Sequence, residues 1–391
     1  MPGKIRRFRH GAMKRPFLLF LLFFLPVASL PAQEKEQSWL VRTAVNYFHS
    51  LTAPKKSLDS VYVFQPSLIW TITLDNEIIR TGADLHSDIS ISDYTGVNGT
   101  FSSGTLDTGM KNQPYWKLGL AAGYGSLSIG YGLNLAKKTD NQDRYFNFGF
   151  KAPTYGAEIR YHKLSQYPQG TLVLDGIEPM DLSSDYPGVT RSLTIDGYYC
   201  FNRHRFVFSA TDDARILQRR SAGSWMVAAT YQQGDFSLDQ DDPLIRQTLK
   251  GLQSYSTQQF SVGGGYSYNW VLLHRDPSEP KTAKGLRNLT LNATVTPMIS
   301  FLNHIQIQQK TDIGLQKERI NGQPAFSPTL RGAFCYTLNR WSLCAETTYT
   351  SFGFHGADKE FSEQNGHLRT KVKTRGTFYE WSFHVQLNFR F

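Results

Sequence analysis

The sequence predicts an all-β protein: a transmembrane, antiparallel, up-and-down β-barrel of about 12 strands, preceded by a short N-terminal helix. Three observations carry this. Segments along the chain alternate apolar and polar residues with a period of two, the apolar row being rich in aromatics. Beyond residue 32 no stretch approaches the 18 consecutive apolar residues that mark a spanning helix. The connections between the alternating segments sort by side, four of five inner turns being two or three residues long and five of six outer connections 20 or more, as the two sides of an outer-membrane barrel require.

Composition sets the outer limits. The 391 residues carry 42 Lys and Arg against 32 Asp and Glu, a formal charge of +10. Six of those bases (Lys4, Arg6, Arg7, Arg9, Lys14, Arg15) fall in the first 32 residues, which contain no acid, so the remainder is close to balance. No Lys/Arg cluster remains to form the concentrated basic face of a nucleic-acid binder, and no nucleic-acid partner is expected. With 40% apolar residues and 14% aromatics, the chain is too hydrophobic for a solvated coil.

The basic stretch to Arg15, the apolar run Phe17 to Leu30 and the exit Pro31-Ala32-Gln33 have the three parts of a secretory signal, with cleavage expected after Ala32. Residues 33–60 form a periplasmic N-terminal segment in which Leu40, Ala44, Tyr47, Phe48 and Leu51 recur at helical spacing, predicting a short amphipathic helix over Trp39 to Leu51. The barrel is expected over residues 61–391, in the cell outer membrane.

The last segment shows the alternation at its clearest. Tyr379, Trp381, Phe383, Val385, Leu387, Phe389 and Phe391 form one row and Glu380, Ser382, His384, Gln386, Asn388 and Arg390 the other. A soluble sheet keeps its apolar face inside and its polar face in water. Here the broad aromatic row suits lipid and the small polar row suits a wetted lumen. Strands are predicted at 67–85, 113–123, 126–137, 144–151, 154–165, 190–201, 205–236, 257–273, 287–302, 327–338, 341–354 and 376–391. In lipid every backbone group needs a partner within the protein, so the strands must close on themselves. The inner turns then fall at Tyr124-Gly125, Ala152-Pro153, Asn202 to His204, His274 to Leu286 and Asn339-Arg340. The seventh strand, 32 residues long, exceeds a span of about 9–11, and its charged piece from Thr211 to Arg220 is expected to leave the wall.

Within that region Gln218, Arg219, Arg220, Ser221, Ala222, Gly223 and Ser224, followed by Trp225 to Gln232, resemble the outer-membrane barrel family called domain of unknown function 4421. The resemblance runs from about Val61 to Phe391. It implies a barrel fold, an outer-membrane location and a Bacteroidota source, and brings no catalytic residues.

The inward rows hold charges of both signs: Asp75, Glu77, Glu158, Arg160, His162, Asp196, Arg331, Glu346, Glu380, His384 and Arg390. These are the candidate lumen-lining residues, either as a salt-bridged packing network or as a pore lining that selects solutes by charge and size. His162 or His384 beside a serine could in principle serve a hydrolase, but the chain has no G-x-S-x-G, H-E-x-x-H or phosphate loop, and its ten His show no metal-ligand spacing. No catalytic residue, metal ligand or cofactor is assigned. A two-residue turn at Asn339-Arg340 sets Cys335 opposite Cys344, predicting a cross-strand disulfide and leaving Cys200 unpaired. The first functional expectation is a passive, porin-like conduit; the alternative is a closed barrel with a structural or surface-interaction role, and a membrane-embedded enzyme is third. Expected partners are outer-membrane lipid, the barrel-assembly machinery and an extracellular ligand at the loops.

Overall fold

The computed structural model describes residues 58–391 apart from 69, 94–101, 112–114, 135–143, 175–177, 179, 182–187, 213–214, 238–251, 280, 312–313, 356–358 and 363–367. The expected signal peptide and the helix over Trp39 to Leu51 lie outside these residues. Among the described residues no helix is long and apolar enough to cross a membrane.

The wall is one closed antiparallel sheet of twelve strands. They are β1 (Trp70–Asp93), β2 (Ser102–Lys111 and Tyr115–Tyr124), β3 (Leu127–Asn134), β4 (Arg144–Lys151), β5 (Tyr155–Leu174) and β6 (Gly188–Cys200). The second half is β7 (Ala222–Ser237), β8 (Leu252–Arg275), β9 (Arg287–Thr296 and Met298–Thr311), β10 (Gly314–Asn321, Ala325–Phe326 and Thr329–Leu338), β11 (Trp341–His355) and β12 (Leu368–Arg390). Each strand pairs with the next, and β1 pairs with β12 from Thr71↔Arg390 to Asp93↔Leu368 to close the ring.

Side-chain parity follows the sequence. On β1, Trp70, Ile72 and Leu74 are exposed on the outer face while Thr71, Thr73, Asp75 and Glu77 are buried. The exposed row continues in Trp116, Leu118 and Leu120 of β2, Val295 and Leu291 of β9, and Trp341 and Leu343 of β11. An outer surface this apolar is unfavourable in water and favourable in hydrocarbon, which places the barrel in the outer membrane. Inside, small polar residues bond across strands: Ser267 with Thr294 at 2.6 Å, and Asn292 Nδ2 to Asn269 Oδ1 at 2.8 Å. This satisfies groups that would otherwise be orphaned.

Two of the short turns need a left-handed residue, and Gly125 and Asn339 supply it, each with φ 55°. These turns, together with 152–154, 276–286 and the C-terminus, mark the inner end of the barrel. At the opposite end β1 and β8 run to 24 residues and β12 to 23, far past the bilayer requirement. The sequence had placed 86–112 in a loop, but β1 and β2 continue pairing out to Ile91↔Ser102.

The seventh strand needs correction. Instead of 205–236, the wall strand is Ala222–Ser237, and the inner connection expected at Asn202 to His204 spans 201–221. It carries a 3-10 turn at Phe208–Thr211 and a two-residue strand, Leu217–Gln218, paired with Val63–Phe64. As the charge pattern of Thr211 to Arg220 suggested, this piece leaves the wall. It is buried: Phe206, Val207, Thr211, Leu217 and Gln218 have essentially no exposed surface.

Gly263 and Gly265 sit where β9 is interrupted at Pro297. A Cβ on Gly265 would lie 2.2 Å from the Val295 carbonyl oxygen, and one on Gly263 2.1 Å from that of Pro297. The backbones approach too closely for any side chain. Gly265→Val should therefore forbid the β8–β9 approach, at a cost of about 1–3 kcal/mol or more from overpacking. The check is loss of the heat-modifiable folded band on electrophoresis; an unchanged band would show that the pair of strands can separate without penalty.

Candidate functional site

The inward residues meet in three connected groups. The first straddles the closing seam. Register puts Glu77 beside His384 on β12 and beside Lys117 on β2. Lys117 donates to Glu77 and its ammonium lies 3.6 Å from Asp75. His384 Nε2 is 2.5 Å from Glu77 Oε1, and its Nδ1 is 3.6 Å from Asp75. One donor atom from each of Asp75, Glu77 and His384 fits within 4.8 Å, with the Lys117 ammonium held against both carboxylates. The same ammonium stands 3.0 Å over the Tyr145 ring on β4, a cation–π contact in a dry setting.

The second group crosses the lumen. Arg160 on β5 donates to Asp196 on β6 at 2.6 Å and reaches Glu380 on β12 at 3.4 Å. Asp196 also accepts from Thr230 at 2.8 Å, and Glu158 accepts from Asn147 at 2.5 Å. His162 is buried edge-on against Tyr145, and neither ring nitrogen has a hydrogen-bond partner. Of the two histidines weighed for hydrolysis, His162 thus has an aromatic neighbour and His384 has carboxylates. Among the described residues no serine forms a hydrogen bond with the His162 ring or the His384 ring.

The third group joins the inward-folded segment to the wall. Arg331 on β10 donates to Asp212, to Glu346 at 2.9 Å, to Asn292 at 2.7 Å and to Thr211 at 3.3 Å, and lies over the Phe208 ring at 4.8 Å. Lys151 on β4 reaches Asp212 from the other side at 3.0 Å and Glu158 at 3.6 Å. In a ring of twelve, β4 and β10 stand opposite one another, so Asp212 links two walls across the diameter. The segment repeats this lower down. Arg215 donates to the carbonyls of Gly125 and Leu127 at 2.7 and 2.6 Å, beside the β2–β3 turn. Across the barrel, Asn269 on β8 donates to the Val207 carbonyl at 2.7 Å and Asn288 on β9 to that of Gln218 at 2.8 Å.

Gln218 is the segment's hub. Its Nε2 donates to the carbonyls of Tyr62, Arg205 and Arg220, at 3.2, 2.6 and 2.9 Å, and its Oε1 accepts from the Val207 amide at 3.1 Å. Beneath it Leu217 packs on Ala283, Leu286 and the bonded pair Cys335–Cys344. Cys200 is free and buried at the end of β6. Arg390 lies apart from the three groups, at the inner end, where it donates to the Asn339 carbonyl at 2.8 Å. At the same end but outside the span, the Asp276 carboxyl is held below its usual range: burial alone would raise it, and hydrogen bonds with His274 and Arg219 prevail. That contribution to stability is present above the ordinary Asp range and is lost as pH falls through the depressed value.

Among these groups lies a polar cavity of about 90 Å3, bordered by Asp75, Tyr145, Lys151, Arg160, Asp212 and His384. It has room for a few waters. The sequence points eleven of the charged residues to the lumen; Lys117 and Lys151 are not among them, and Asp212 is expected only in the charged piece that leaves the wall. Lys117 carried a signal, since it alternates with Trp116, Leu118 and Leu120 and so had to point inward.

The profile of the family described as domain of unknown function DUF4421 matches residues 89–373. No curated protein sequence matches the chain. Among solved structures, the chain is similar to the outer membrane protease OmpT from Escherichia coli, at 9% identity over 81% of this chain and 97% of that one, with a TM-score of 0.33. It is also similar to the beta domain of the Bordetella autotransporter BrkA, at 10% identity over 80% and 99%, TM-score 0.30. A Pseudomonas aeruginosa FadL homologue gives 11% identity over 81% and 90%, TM-score 0.18.

Proposed function

From the premise that this chain belongs to the DUF4421 family and is an outer-membrane β-barrel, we propose that it is a conduit for small hydrophilic solutes that rests shut, with the 201–221 segment as its seal. The observation that carries this reading is the double attachment of that segment to opposite walls, through Asp212 between Lys151 and Arg331 and through Arg215 and Gln218 below. A barrel needing only a filled interior would be served by apolar packing. Here the segment is tied to a polar wall by charges and hydrogen bonds in addition to the apolar packing of Phe206, Val207, Ile216 and Leu217, so withdrawing it exposes a lumen surface that water wets.

The experiment is conductance in planar bilayers. Wild-type protein should be silent across salts and voltages, and a variant in which residues 204–220 are replaced by a short Gly/Ser linker should conduct ohmically. Steady wild-type current would overturn the resting seal, and a silent linker variant would overturn the conduit.

A second reading, a closed barrel presenting a surface for partners, is favoured by one separate observation: β1, β8 and β12 run to 24, 24 and 23 residues, whereas spanning takes about 9–11. Their outer halves project beyond the bilayer. If that projection is the working part, trimming the β1–β2 hairpin to bilayer height should abolish cell-surface binding while leaving the bilayer currents of every variant unchanged.

A further inference from the structure

We infer that Arg275 and Arg287 form a site for the phosphate of an anionic phospholipid at the inner rim of the barrel. The two arginines are direct cross-strand partners, Arg275 at the end of β8 and Arg287 at the start of β9. A bulge between Val271 and Leu273 shifts the register of β8, so that Leu273 pairs with Leu289 and the next step places His274 opposite the buried Asn288. Leu273 and both arginines are exposed, and Leu289 heads the row that continues outward through Leu291, Ala293 and Val295. Parity thus puts both guanidinium groups on the lipid side, one step below the last apolar pair. Trp270, 43% exposed, sits above them on the same wall. This is headgroup depth, where an aromatic belt gives way to charge.

Two like charges directly opposite one another are destabilising unless something stands between them. Among the described residues neither guanidinium has a hydrogen-bond or ion-pair partner. The acid next in sequence, Asp276, is committed to Arg219 at 2.6 Å and His274 at 3.1 Å, on the inward side. A phosphodiester resolves the arrangement: each planar fork can take two of its oxygens, and the acyl chains continue up the apolar row. The lipid headgroup, and not free phosphate, is the expected occupant because the arginines face the membrane.

The test uses the full chain in nanodiscs of mixed phosphatidylethanolamine and phosphatidylglycerol, with retained lipid counted by native mass spectrometry. Wild type should keep phosphatidylglycerol in preference to phosphatidylethanolamine. Each arginine removed should weaken that retention roughly fivefold, so R275Q/R287Q should lose it. K281Q/K284Q, which removes exposed lysines from the neighbouring turn, should keep it. R275K/R287K, which preserves charge and folding, should retain an intermediate amount because it lacks the forks. Equal retention of the two lipids by wild type, or wild-type retention by R275Q/R287Q, would overturn the site. Displacement of the lipid by millimolar inorganic phosphate would assign the pair to a free anion and overturn the lipid.

Discussion

Replacing Arg331 with methionine is expected to destabilise the barrel by about 3–5 kcal/mol, the usual cost of removing one partner from a buried ion pair. Arg331 and Asp212 are both 7% exposed, and the same guanidinium holds Glu346. Methionine fills much of the volume but takes from Asp212 and Glu346 the guanidinium that bridges them. Chemical unfolding in detergent should show the midpoint falling without a change of slope. Because Arg331 is also the outermost hold on the tip of the 201–221 segment, the folded fraction of Arg331→Met should flicker open in planar bilayers. A variant as stable and as silent as wild type would show that the tip is retained by its apolar packing and not by charge.

Glu77→Ala should cost a similar amount, about 3–5 kcal/mol, from a different part of the lumen. The Lys117 side chain is 2% exposed and that of Glu77 1%. Without Glu77, the ammonium keeps only Asp75 at 3.6 Å and the Tyr145 ring, and His384 loses its closest carboxylate. The decisive comparison is the double variant Glu77→Gln/Lys117→Met. If the single loss comes from an uncompensated buried charge, removing both charges restores most of the stability. A double variant no better than Glu77→Ala would mean that the pair supplies net attraction beyond its own desolvation.

The wall strands could be read from the sequence because lipid on one side and water on the other impose a strict period of two, and rows such as Trp70–Ile72–Leu74 or Trp381–Phe383–Val385 have no other use. The reading failed where that contrast fades. Past the bilayer both faces of β1 and β2 meet water, so the alternation fades and 86–112 reads as loop. In the opposite sense, Arg205 to Thr211 looks like strand because Phe206 and Phe208 are spaced by two, yet they pack inside the barrel base. The bulge at Leu272 was invisible, since a single inserted apolar residue leaves the row apolar while exchanging its faces.

The charged interior was legible residue by residue and not as a network. Parity says that Arg160 or Arg331 points inward. It does not say that Arg160 reaches Glu380 some 220 positions later or that Arg331 meets Asp212. Those contacts depend on the circumference of the closed ring, a property of strand number and tilt that no local pattern carries. The partners of Asp212 are illegible for a related reason: it belongs to no strand, and only the return of its segment into the lumen brings Lys151 and Arg331 to it.

The seam between β1 and β12 has a consequence for how the molecule comes into being. Thr73 and Asn388, which share a hydrogen bond across it, are 315 positions apart, so the longest-range strand pairing among the described residues is also the one that seals the cylinder. Such distant contacts are slow to form, and until the final strand is delivered both margins of the growing sheet stay open to any passing extended peptide. A chain without the final strand would therefore keep both margins open, a ribbon instead of a narrower cylinder.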